Sequence, residues 1–71
     1  MPPMNPIKTY INAGTLAGRA VNNRDAALAA HWRGWVRQAL SLENEPYKTT
    51  ARSQYELAYE KERAIALKTH R

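Results

Sequence analysis

A chain of 71 residues without cysteine has room for one domain, and it hides a smaller share of its surface on folding than a larger domain does. Disulfides are excluded. The two histidines, His31 and His70, stand 39 positions apart with no thiolate between them, too few ligands for a structural zinc, so oligomerisation is the support left for a small core.

The net charge is +5, with +4 in residues 1–42 and +1 in residues 43–71. A basic balance of this kind points to an anionic partner, either nucleic acid or an acidic protein surface. The opening Met1-Pro2-Pro3-Met4-Asn5-Pro6 has no basic region, and no apolar run nears the roughly 20 residues of a bilayer span, so neither a signal peptide nor a transmembrane segment is expected. Together with the missing cysteines this makes a reducing cytoplasm the expected compartment.

Asn5 as N-cap and Pro6 at the first helical position predict a helix over about residues 6–22. Ile7, Tyr10, Ile11, Gly14, Ala17, Gly18 and Val21 fall within an arc of about 120°, small in its middle, with Leu16 alone on the far side. Asn22-Asn23-Arg24-Asp25 favours a tight turn, with Asn23 as the next N-cap.

The second helix is expected over about 24–42. Leu28, Trp32, Trp35, Ala39 and Leu42 step by 4, 3, 4 and 3 as a coiled-coil seam does, and Val36 and Leu40 widen the apolar arc to roughly 160°. That is more than one hairpin partner covers, which predicts a further helix or a second subunit. Counting back from the turn sets Gly14 opposite Trp32.

Glu43-Asn44-Glu45-Pro46 ends this helix, and Pro46 restarts the chain as a third over about 46–67. Tyr47, Ala51, Tyr55, Ala58 and Ile65 lie on one side of a rather polar surface. Arg52 with Glu56 and Glu60 with Arg63 are spaced as intrahelical pairs.

No nucleophile with a base, carboxylate pair or phosphate loop is signalled, so neither catalysis nor a metal or cofactor site is expected. Gly14-x-x-x-Gly18 lacks the Lys and Ser/Thr of a phosphate loop and reads as close helix packing. Trp32 and Trp35 read either as core or, for one of them, as the rim of a binding surface. Tyr47, Tyr55 and Tyr59 are open to the same two readings.

Arg33 and Arg37, one turn apart, make either a solvated face or a patch for carboxylates or phosphates. Ala30-x-x-x-Gly34 with Leu40 echoes a helix-turn-helix, but the seam runs through Gly34 without a change of phase and no recognition helix rich in Lys or Arg follows. A nucleic-acid binder using Arg19, Arg24, Arg33 and Arg37 on phosphates remains the alternative.

Three stretches carry a resemblance: Tyr10-Ile11-Asn12-Ala13-Gly14-Thr15-Leu16-Ala17-Gly18-Arg19-Ala20, the helix bearing Trp32 and Trp35, and Ala39-Leu40-Ser41-Leu42-Glu43-Asn44-Glu45-Pro46-Tyr47. Over roughly residues 5–67 the chain resembles the small quorum-sensing anti-activators of Mu-like Pseudomonas phages. The resemblance implies a helical dimer in the cytoplasm of an infected bacterial host. It implies binding to the DNA-binding domain of the LuxR-type activator LasR, which blocks that activator's use of DNA, and a second target in the type IV pilus assembly ATPase. The order of helices is also similar to that of the short ANR-type negative regulators of virulence activators, whose fourth-segment cysteine is missing here.

The expectation is therefore an all-α single domain over residues 1–71, a two- to three-helix hairpin forming a homodimer. Leu28, Trp32, Trp35, Val36, Ala39 and Leu42 are the expected dimer interface. Arg33, Arg37, Glu43, Glu45, Tyr47 and Tyr55 are the expected contacts to a host transcriptional activator or another host protein.

Overall fold

A computed structural model describes residues 5–69 and is all-helical among them: α1 runs Ile7–Asn22, α2 Ala26–Ser41 and α3 Tyr47–Thr69. None of these helices is long and apolar enough to cross a membrane.

The cap of α1 differs from the one expected. Pro6 is the N-cap, with no side-chain bond, because the Asn5 backbone N–H donates to Glu43 (3.2 Å) and its side-chain amide to the Tyr10 hydroxyl (3.4 Å).

The first turn is also built differently. Asn23 closes α1 by donating to the Arg19 carbonyl, and Asp25 is the α2 N-cap, its carboxylate accepting from the Leu28 N–H at 3.1 Å. Arg24 N–H donates to the Val21 carbonyl and Asp25 N–H to the Ala20 carbonyl, the two bonds of a Schellman stop. That motif needs a left-handed residue at Arg24, whose φ is 59°. A side chain there is strained where glycine is not. Arg24→Gly is expected to raise stability by about 0.5–1 kcal/mol, read as a higher urea midpoint at unchanged m-value.

α2 runs back along α1, and after the bend at Leu42–Pro46 α3 runs parallel to α1. The register follows from three neighbours: Gly14 meets Tyr55 and Ala58, Gly18 meets Tyr59 and Glu62, and the Asn22 amide donates to the Glu62 carbonyl at 3.0 Å. α1 is thus the central helix. Its contact with α3 is the most extensive, that with α2 comes second, and α2 scarcely touches α3.

This corrects the expected pairing of Gly14 with Trp32. A Cβ on Gly14 would stand 2.2 Å from the Tyr55 carbonyl oxygen and 3.0 Å from the Ala58 Cβ, so the small stripe of α1 exists to let the α3 backbone in.

The core gathers Tyr10 and Ala13 of α1, Val36, Ala39 and Leu40 of α2, and Ala51 of α3, with Ile7, Trp32, Trp35, Tyr47 and Tyr55 packed at its edge. The Cα trace measures 48 × 21 × 13 Å. A slab this thin has no deep interior, and Tyr10 is the largest side chain among the described residues to be fully buried.

Where the chain crosses from α2 to α3, that tyrosine anchors a polar knot. Its hydroxyl donates to the Glu43 carboxylate at 2.7 Å, the same oxygen takes the Asn5 N–H, and the Tyr47 hydroxyl donates to the Asn5 carbonyl. Four segments meet there: the entry to α1, α1 itself, the bend and α3. At the other end Arg19 pairs with Glu62 (3.2 Å) and Arg63 donates to the Asn22 side chain (3.1 Å).

Candidate functional site

The core contact of α2 is centred on Val36, which leaves the helix two free flanks. One carries Leu28, Trp35 and Leu42, seven residues apart, so they stack along a single line of the helix. Leu28 is 43% and Leu42 70% exposed. Trp32 and Trp35 are half-buried in a chain of rings from the core outward: Tyr10 to Trp35 at 5.8 Å, Trp35 to Trp32 at 6.2 Å, Trp32 to His31 at 5.2 Å between centroids. One side of each indole rests on the core and the other faces water.

Of the six residues expected at the dimer seam, Val36 and Ala39 are therefore corrected to core positions within one chain. Both pack with Tyr10 and Ala13 of α1, and Val36 also reaches the gap between α2 and α3. Leu28, Trp32, Trp35 and Leu42 keep accessible surface along this flank.

The other flank faces α3. Because the two helices barely meet, a groove of ≈ 410 Å³ opens between them, with Val36, Leu40 and Tyr55 along its floor and Arg33, Arg37, Lys48 and Arg52 on its walls beside Ser41 and Glu56. It continues past Arg33 into a wider cleft beside Tyr55, Glu56, Leu57, Tyr59 and Glu60. No side chain of α1 lines either part. Tyr55 and Tyr59 stack at 6.4 Å, their planes 24° apart. Burial pushes the Tyr55 phenol above its ordinary value against the pull of Arg33.

The six residues expected to contact a partner divide accordingly. Arg33, Arg37 and Tyr55 converge on the groove. Glu43 is only 7% exposed, and its carboxylate is engaged by Tyr10 and Asn5, so its expected role as an acidic surface contact is corrected to that of a structural acceptor.

Glu45 is exposed but caps α3, accepting from the Thr49 N–H at 3.0 Å and hydroxyl at 2.7 Å. Those bonds, the hydroxyl's first, hold its carboxyl below the usual value, helped by Lys48 and Arg52. Tyr47 is half-buried in the knot, and burial with the nearby Glu43 charge raises its phenol.

Lys48 and Arg52 join the groove only through the fold, which sets them across from α2. Their i,i+4 spacing was the available signal. Conversely, the four arginines of the nucleic-acid alternative do not share one surface: Arg19 is bridged to Glu62 and Arg24 sits in a small crevice with Val21 and Arg63, while Arg33 and Arg37 belong to the groove. Among the described residues no three His, Asp or Glu side chains cluster as a metal site would require. No family model, curated protein or solved structure matches the chain.

Proposed function

We propose that the protein acts by stoichiometric binding: a homodimer formed through the Leu28–Leu42 stripe docks on a host transcriptional activator, covers its DNA-contacting surface and blocks its use of DNA. The observation that carries the dimer is the symmetry of the stripe about Trp35. A second copy laid antiparallel sets each Leu28 on the partner's Leu42 and the two Trp35 side chains side by side, the self-complementary contact of a two-fold interface. A basic protein without an exposed acidic knot meets a basic DNA-binding domain through apolar surface and local charge. The identity of that target as a LuxR-type quorum-sensing activator follows the resemblance of the chain to phage anti-activators.

The test joins sedimentation to a gel shift. The protein is expected to sediment as a dimer at micromolar concentration and to release an operator duplex from the activator's DNA-binding domain. Leu28→Lys/Leu42→Lys is expected to sediment as a monomer of unchanged helicity and to lose most of the release. A folded monomer of the unmodified chain sinks the dimer. Retardation of random duplex DNA by the protein alone, lost steeply with salt, supports nucleic-acid binding instead.

A further inference from the structure

We propose that the groove between α2 and α3 receives an acidic amphipathic helix of a partner protein, its apolar residues pointing down and its carboxylates toward the two walls. This rests on the reading of the chain as a partner-binding protein. The two helices scarcely touch, and the trough between them is floored by the nearly buried Val36 and Leu40 and the half-buried Tyr55, a gap in which one more helix packs.

Its charges are arranged for the same occupant. Arg33 and Arg37 stand one turn apart on one wall, Lys48 and Arg52 one turn apart on the other, each pair separated by roughly 6 Å of helical rise. A facing helix presents its own side chains at that i,i+4 interval. Among the described residues none of the four cations lies within ion-pair distance of a carboxylate. The nearest acids, Glu45 and Glu56, leave the cluster with cations in excess.

A sugar-phosphate strand fits less well. It would run past Glu56, which lines the groove itself, and onto Glu60 in the continuation, where a helix needs only a Lys or Arg. A second copy of the chain does not supply the occupant either. Asp25 is the single acid from Ile7 to Ser41, and the acids of α3, Glu56, Glu60 and Glu62, lie between Arg52 and Arg63 with Lys61 among them.

Fluorescence anisotropy with three probes tests this. The first is a labelled peptide of about 18 residues, five helical turns, with leucines at i, i+3, i+4 and i+7 and glutamates flanking them. The second has the same residues scrambled, and the third is a single-stranded oligonucleotide of equal charge. The ordered peptide is expected to bind the intact protein and to move the amide resonances of Val36, Leu40 and Tyr55 but not that of Leu28. Arg33→Glu/Arg37→Glu is expected to weaken it at least roughly tenfold with helicity retained. Lys48→Glu/Arg52→Glu does the same from the opposite wall and carries the test if the first variant fails to fold.

Failure of the ordered peptide to bind at low salt, equal binding of the scrambled one, or resonance changes confined to the Leu28–Leu42 flank overturns the proposal. Tighter binding of the oligonucleotide at the same four residues overturns it in favour of nucleic acid. Operator release without peptide binding removes the groove proposal alone, whereas peptide binding without dimer or release removes the proposed function alone.

Discussion

Gly14→Ala is expected to lower stability by about 3 kcal/mol or more, which in a domain of this size is roughly 12–24 °C in Tm. The added carbon would stand 2.2 Å from the Tyr55 carbonyl oxygen. That oxygen belongs to the α3 backbone and has no rotamer by which to move aside. The two helices must separate, and the contact they loosen is the most extensive in the fold.

The other glycines supply controls of graded and opposite sign. At Gly18 the same carbon meets the Glu62 Cβ at 2.9 Å and the Tyr59 carbonyl at 3.0 Å, so Gly18→Ala is expected to cost less. At Gly34 it meets nothing within 4 Å, and Gly34→Ala, in the interior of α2, is expected to stabilise by about 0.5–1 kcal/mol. Thermal denaturation of the three variants checks the order. Equal losses at Gly14 and Gly34 would remove the parallel packing of α1 on α3.

Tyr10→Phe is the second large effect. It keeps the ring and deletes the hydroxyl, so the buried Glu43 carboxylate loses its shortest donor at 2.7 Å and retains the Asn5 N–H. The expected loss is about 1–3 kcal/mol. Tyr10→Ala, which also empties the only large fully buried site among the described residues, is expected to cost about 3–5 kcal/mol.

The same residue sets an alkaline limit. Burial, then the hydrogen bond to Glu43, pushes its phenol from 10.0 to about 12. The folded state therefore favours the neutral phenol. The stability this adds is complete below pH 10 and is lost as pH rises from there through about 12. Urea titrations across that range are expected to show a steep fall for the unmodified protein and a shallower one for Tyr10→Phe.

Helical periodicity and turn chemistry made most of this fold legible. The three helices lie within one to two residues of their expected bounds, because Pro6, the Asn22–Asp25 turn and Pro46 are strong local punctuation. Which helix covers which was harder. α3 reads as a rather polar surface with Tyr47, Ala51, Tyr55, Ala58 and Ile65 on one side, and against the glycines of α1 it is Ala58 and the α3 backbone that fill the space.

The site was legible by halves for a related reason. Leu28, Trp32, Trp35 and Leu42 declare themselves by spacing along one helix. Lys48 and Arg52 gain meaning only from their position across from α2. Glu43, in the Glu-Asn-Glu-Pro bend, has the local signature of surface, and its burial depends on Tyr10 and Asn5, 33 and 38 residues away.

The joining of α1 to α3 has a consequence for how the chain matures. During synthesis α1 and α2 leave the ribosome first, but the glycine face of α1 finds its complement only when Tyr55 to Glu62 have followed. Until then the hairpin holds only the part of the core that joins Tyr10 and Ala13 to Val36, Ala39 and Leu40, with the Gly14–Gly18 face uncovered. A chain stopped before the third helix therefore lacks the most extensive contact of the fold, and the order of synthesis leaves the burial of the glycine face to the last residues made.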